Sequence, residues 1–529
     1  MTLADDLKQK QAGAILLAIS LCSLAITYFI VTPRFWIDDA FIYFRYARNL
    51  RDGFGLVFNP GESLEGYSSF LWVLISYLGL FFGEPIVFLQ WVGVFSQFFI
   101  LFFTYQIGLQ LGRSHLQSLV APLLLGLQAT FCSYPMTGMD TTFYTMLVTL
   151  GALLFLKGYY RDPRGKWLTG IVLLSIALTR FDGLVIASIM LGYKVLIDRD
   201  IKSVLAPIAV FLGGLIVYNA WRISVYPTLL PNTFYAKVDA LQAQLAGGLR
   251  YMKSYFFRWS PFVLPLSMVP FILRKTTPKI RFAVWVSVWH LIYIIYVGGD
   301  WMPHFRFLLP VLPLLFVLAQ EGIFGLTEIT ALKPYRLILS VLIVSIFAGL
   351  SGYRLYSARN FFSLVSGSVF QPQHARDVGK HLDKTLPANY TVAVEWAGIV
   401  PYYIRQPTLD ILGLTDREIT ALDFPSSQMG RVITTEYLLK RNPEVIVIAT
   451  RTFPTHQEAA KGILHKMKVI PKGNWMKEFY SNLANPAFGY ITCVMETDQK
   501  RYFPLLVRKN APDFASICTA PIGVDMFAE

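Results

Sequence analysis

Long apolar runs separated by short polar loops occupy the chain up to about Tyr353, and a mixed pattern of strand and helix signals fills the rest. The first run, about Ala12 to Val31, is long enough to cross about 30 Å of hydrocarbon as one helix. Later runs begin near Pro85, Leu116, Thr141, Trp167, Gly183, Val204, Pro261, Phe282, Phe307 and Leu337, which predicts about 11 crossings in all. Ser69 to Phe82 is apolar over only about 14 residues, a length that suits an interfacial helix rather than a span.

Orientation follows from the basic residues. Lys8 and Lys10 precede the first run and no small-residue cleavage site follows it, so the N-terminus is expected in the cytoplasm behind an uncleaved anchor. With Ser69–Phe82 at the surface, the basic loops Arg161–Lys166 and Arg274–Arg281, together with Arg113, Lys333 and Arg336, all fall inside. The C-terminal part then lies outside. There, His374–Asp383 reads as an amphipathic helix, and Thr391–Glu395 and Glu444–Ala449 read as buried strands. The expected fold is therefore a polytopic α-helical membrane domain, residues 1–353, followed by a soluble extracytoplasmic (periplasmic) α/β domain, residues 354–529.

Composition agrees with this pattern. Of the 529 residues 54% are hydrophobic and only 15% charged, against roughly a quarter charged in soluble proteins. The net charge of +14 would raise the question of nucleic acid in a soluble chain, but many of the Lys and Arg sit in loops between apolar runs, where membrane orientation accounts for them. Cys22, Cys132, Cys493 and Cys518 have neither zinc-site nor redox spacing, although Cys493 and Cys518 can pair if their domain lies outside the cytoplasm.

The outer loops hold the candidate chemistry. In the first, Ala40, Tyr43, Phe44 and Ala47 recur at helical spacing with Arg45, Arg48 and Asp52 opposite, so an interfacial helix is expected. Asp38 and Asp39 open it. Capping explains one aspartate, whereas two adjacent carboxylates at a membrane surface suit proton abstraction from a sugar hydroxyl or a metal held on a phosphate. Thr137-Gly-Met-Asp140-Thr141, Thr179-Arg180-Phe-Asp182-Gly183, Pro231-Asn-Thr-Phe-Tyr-Ala-Lys237 and Gly298-Gly-Asp300-Trp-Met-Pro-His304-Phe-Arg306 fall on the same side. Turns with snorkelling bases are the simpler explanation for each alone.

The string Asp38-Asp39-Ala-Phe-Ile-x-Phe-Arg45-Tyr-Ala-Arg48, with Gly55-Leu-Val-Phe-Asn59-Pro-Gly61-Glu62 and Glu65-Gly-Tyr67, resembles the first loop of the GT-C membrane glycosyltransferases. The likeness is nearest to the actinobacterial branch that adds terminal β-1,2-linked arabinofuranose. It extends through Pro231–Lys237, Gly298–Arg306 and Ile411-Leu-Gly-Leu-Thr415-Asp416. Asp140 stands where that family has Glu, and Phe181 where it has Pro.

The resemblance implies transfer of a sugar from a polyprenyl-phosphate donor to an extracytoplasmic glycan or glycolipid acceptor at a bacterial cytoplasmic (inner) membrane. Asp38 or Asp39 would be the general base, with Asp38 slightly favoured, and the transfer would invert the anomeric centre. Arg45, Asp140, Arg180, Asp182, Lys237, Asp300, His304 and Arg306 are the donor candidates, and Glu65 and Tyr67 the acceptor candidates. Where a divalent metal (Mg, Mn or Ca) takes part, Asp38, Asp39 and Asp140 are its candidate ligands. The alternatives are a polyprenyl-lipid or sugar transporter and a noncatalytic assembly factor on a transferase fold.

Overall fold

The computed structural model describes residues 3–31, 35–237, 241–329, 333–368, 372–421, 426–427, 430–431, 433–447, 452–459 and 489–517. It is a helical bundle carrying a sheet domain at one end. Among the described residues six helices are long and apolar enough to cross a membrane: Asp5–Ile30, Pro85–Gln110, Ile201–Val225, Pro278–Tyr296, Arg306–Thr327 and Leu337–Asn360. Shorter apolar helices, among them Thr141–Lys157, Gly165–Thr179 and Val263–Ile272, fill the spaces between them. The helix Leu312–Thr327 is buried along almost its whole length, which makes it the centre of the bundle. The last long helix, Arg336–Ser368, runs well past Tyr353 in one piece, so the change of pattern near Arg354 is not the end of the span.

The helix Asp39–Arg51 forms where the spacing predicts it, but it does not lie free at an interface. Ala40 to Ala47 are all buried, Arg45 included. Its apolar side packs on the bundle and also, through Phe41 and Phe44, on Tyr402 of the sheet domain, to which Arg45 and Arg48 donate hydrogen bonds. The apolar cluster that joins them runs from Trp36, Phe41 and Phe44 through Val394 and Val400 to Phe503. A glycine permits a second junction. A Cβ on Gly93 would stand 1.9 Å from the Pro135 carbonyl oxygen, so only glycine lets the loop ahead of Asp140 ride on the helix Pro85–Gln110.

The sheet domain begins with the helix Pro372–Thr385. Its strands are β1 (Val392–Val394), β2 (Thr408–Asp410), β3 (Ser426–Ser427), β4 (Gly430–Arg431), β5 (Val445–Val447), β6 (Tyr490–Glu496) and β7 (Tyr502–Arg508). The main sheet has the order β2-β1-β5-β7-β6, with β1 parallel to β2 and β5, and β7 antiparallel to β5 and β6. β3 and β4 form a separate small hairpin. Cys493 on β6 is disulfide-bonded, while Cys22 and Cys132 are free. Cys518 lies outside the described residues.

Candidate active site

The two aspartates sit at the junction of bundle and sheet domain. The Ile37 N–H donates to the Thr137 carbonyl at 3.3 Å, which ties the start of the loop helix to the segment leading to Asp140. Asp38 makes no capping bond to the helix it opens. Its Oδ2 accepts from Gly398 N at 2.7 Å and its Oδ1 from Ile399 N at 2.8 Å, so it caps the first turn of Ile399–Tyr403 across the domain boundary. The approach is so close that a Cβ on Gly398 would meet the Asp38 carbonyl oxygen at 1.8 Å. Burial pushes the Asp38 carboxyl up to about 7. The two amides pull it down and the neighbouring Asp39 adds repulsion.

Asp39 is differently placed. It is half-buried and, among the described residues, makes no side-chain hydrogen bond or ion pair. It lines a small cleft of about 20 Å³ together with Asp38, Trp301, Glu395, Trp396, Leu412 and Leu414. That space holds one water and no sugar, so a larger ligand requires its walls to part.

A second polar group lies beside the first. Arg180 Nε donates to Asp182 Oδ1 at 2.8 Å, and its Nη1 reaches Asp140 Oδ1 at 3.4 Å. The other oxygen of Asp140 accepts from the Ser69 hydroxyl at 2.5 Å. Arg306 binds both oxygens of Asp300, at 2.8 and 3.1 Å. The two guanidinium groups stand 5.5 and 5.3 Å from the Phe307 ring centroid, so one ring bridges the pairs. Tyr43, on the loop helix, lies within the electrostatic reach of Asp39 and also of Asp140 and Arg180. The cluster sets two arginines against three aspartates. Even so, Nη2 of Arg180 and Nη1 of Arg306 have no hydrogen-bond partner among the described residues.

Other sequence candidates are used elsewhere. Arg45 is fully buried and donates to the Phe58, Pro401 and Gln406 carbonyls and to Asn59 Oδ1. It is a clamp between loop and sheet domain with nothing left for a phosphate, which corrects its assignment as a donor ligand. Glu65 is 2% exposed and ion-paired to Arg222, and it also accepts from the Tyr218 hydroxyl. Tyr67 is 1% exposed with its hydroxyl 3.2 Å from that of Tyr226. Neither lines the cleft, because both are taken up in fixing the loop to the helix Ile201–Val225. His304 is buried in left-handed backbone, φ 62°, with its ring 5.5 Å from Trp259. Lys237 ends the helix Asn232–Lys237, and its side chain lies outside the described residues.

The candidate metal set is not assembled. Asp38 is engaged by two amides and Asp140 by Ser69 and Arg180. Among the described residues no three His, Cys, Asp or Glu side chains are grouped to hold a metal.

Residues 367–501 match a family model described as "Domain of unknown function (DUF8728)". Over 342 residues, 55% of this chain, the sequence is 27% identical to the "Terminal beta-(1->2)-arabinofuranosyltransferase" of Mycobacterium tuberculosis, and the match covers 52% of that protein's length. In three dimensions the chain is similar to ArnT from Cupriavidus metallidurans, with a TM-score of 0.58 at 11% identity, covering 94% of this chain and 98% of that one. It is also similar to the mycobacterial arabinofuranosyltransferase AftD, with a TM-score of 0.52 at 13% identity, covering 94% of this chain and 40% of that one. The fold is shared with ArnT and with the matching part of AftD.

Sequence reasoning passed over several residues of this region. The expected strand Thr391–Glu395 gives Glu395 no role beyond its end and does not reach Trp396, and Trp301 falls in an outer loop. A carboxylate directly after a parallel strand was the available signal, since residues at strand carboxyl ends tend to face ligands in open α/β sheets. Arg222 gave no signal, because its partner Glu65 lies 157 positions away.

Proposed function

We propose that this chain is a membrane glycosyltransferase. It moves a sugar, with a pentofuranose such as arabinofuranose as the leading candidate, from a polyprenyl-phosphate donor to an extracytoplasmic glycan or glycolipid acceptor. The observation that carries this reading is Asp39, a cleft-lining carboxylate without a hydrogen-bond partner among the described residues, linked through the electrostatic surroundings of Tyr43 to Arg180, whose Nη2 has no hydrogen-bond partner among the described residues. A carboxylate so placed accepts a proton from an acceptor hydroxyl, and an arginine nitrogen donates to a phosphate oxygen.

In this mechanism Asp39 removes the acceptor hydroxyl's proton as that oxygen forms a bond to the anomeric carbon. The bond from that carbon to the phosphate oxygen breaks on the opposite face, and Arg180 and Arg306 hold the departing phosphate. One displacement without a covalent intermediate inverts the centre. Asp38 positions the sheet domain and leaves proton transfer to Asp39, because both its oxygens are held by backbone amides. The structure of ArnT with bound undecaprenyl phosphate supports a donor of this class. The six long helices and the shorter apolar ones suit about 11 crossings, and the basic loops Arg161–Lys166 and Arg274–Arg281 support a cytoplasmic N-terminus with the sheet domain outside.

The test is to incubate detergent-purified protein with a panel of polyprenyl-phosphate sugars and identify which is consumed. One donor is expected to disappear, with release of polyprenyl phosphate. A protein that binds and consumes none of them is not this transferase.

A further inference from the structure

Phe307 is anchored more firmly than a residue that merely fills space. Leu308, Leu309 and Val311, which follow it, are fully buried, whereas Phe307 is half-buried. Its main chain is held from two other helices: its N–H donates to the Tyr251 hydroxyl at 3.2 Å, and its carbonyl accepts from His290 Nε2 at 3.0 Å. The two residues before Arg306, His304 and Phe305, both take left-handed backbone, φ 62° and 59°. Residues other than glycine adopt that region rarely, and it persists where the surroundings impose it. Here the Phe305 ring is wedged 5.2 Å from that of Tyr251 and 5.6 Å from that of Trp259. Packing therefore fixes where the Phe307 ring stands.

That ring is shared by two cations. The guanidinium carbons of Arg180 and Arg306 lie 5.5 and 5.3 Å from its centroid, and each group is within electrostatic reach of the other. Among the described residues no carboxylate pairs with both, since Arg180 pairs with Asp182 and Asp140, and Arg306 with Asp300. Like charges this near repel, and the negative face of an aromatic ring offsets that repulsion where water is scarce. Each guanidinium keeps one terminal nitrogen, Nη2 of Arg180 and Nη1 of Arg306, without a hydrogen-bond partner among the described residues. We propose that Phe307 is a positioning residue, which holds both guanidiniums on its ring so that these two nitrogens meet one lipid-borne phosphate. The proposal rests on the transferase reading above and adds to it the residue that sets the spacing of the phosphate site.

The experiment uses the full-length protein in detergent, with undecaprenyl phosphate and the uncharged alcohol undecaprenol as probes. Mono-, di- and trifluorinated phenylalanine placed at 307 keep the ring's shape while weakening its negative face. Undecaprenyl phosphate affinity should fall with each added fluorine, by about tenfold for the trifluorinated ring, while undecaprenol affinity stays within about twofold. Phe307→Leu, which fills the space without a π face, should lose about tenfold as well, and Phe307→Tyr, which keeps the face, should stay within about twofold of wild type. Should Phe307→Leu unfold, the fluorinated series decides, because it leaves the packing unaltered. Phosphate-lipid affinity that does not depend on fluorine, an equal fall for undecaprenol, or a folded Phe307→Leu with wild-type affinity overturns the proposal. Each of those results leaves the transferase reading standing where the wild type consumes a polyprenyl-phosphate sugar. A wild type that neither binds undecaprenyl phosphate nor consumes any such sugar removes that reading and the proposal with it.

Discussion

Two groups of charged side chains meet near the junction of bundle and sheet domain, and they treat charge in opposite ways. Around Phe307, Arg180 and Arg306 are each matched to a carboxylate partner, with Ser69 holding Asp140 from the other side. In the cleft, Asp39 makes no side-chain hydrogen bond or ion pair among the described residues. A buried charge is costly unless paired, so the first group can be rigid and buried while Asp39 keeps contact with water or a ligand. The difference teaches where to look for reactivity. A paired cluster holds its geometry, and an unpaired carboxylate is available to take a proton.

The largest expected effect comes from the unpaired side. Asp39→Asn removes the base but no hydrogen bond of the described structure, so it should lower transfer on the order of 10²- to 10⁴-fold with the melting temperature unchanged. Full activity in that variant would erase the contrast between the groups. The Asp38 side should speak through stability. Its carboxyl titrates near 7 in the folded protein against 3.8 for the free group, so the folded state binds the extra proton and is favoured at low pH. That advantage is complete below about pH 4 and is lost as pH rises through about 7, about 4 kcal/mol in total. Asp38→Asn does not titrate, so thermal melts across this range should show wild type losing stability relative to the variant as pH rises. A constant difference would mean that Asp38 is not buried against the sheet domain. The smallest effect concerns the junction itself. Gly398→Ala places a methyl group against the Asp38 carbonyl oxygen and should cost about 1–3 kcal/mol. Limited proteolysis should then cut the sheet domain first, and uniform cleavage would argue that the two regions are not coupled at this point.

Legibility in the sequence followed the range of the interaction. The helix Asp39–Arg51 and the strands Val392–Val394 and Val445–Val447 appear where periodicity predicts them, because backbone bonding and local burial set them over a few neighbouring residues. The paired aspartates were visible for the same reason. Arg45 was misread. Its helical spacing gave the correct face, but that face meets Pro401 and Gln406, about 360 positions on, rather than lipid headgroups. Glu65 was misread in the same way, since nothing near it in the chain announces Arg222.

By itself the chain's order of apolar and polar residues determined that a helical bundle would sit in a bilayer, that a separate sheet would follow, and that acidic and basic groups would gather on one side. Hydrophobic length and period suffice for that, being properties of short segments. Only the tertiary structure decided which charges are used up. It gave Asp38 to Gly398 and Ile399, gave Arg45 to the domain junction, and left Asp39 without a hydrogen-bond partner among the described residues. Pairing depends on which distant segments pack together, and a carboxylate's availability for proton transfer is fixed by what that packing leaves beside it.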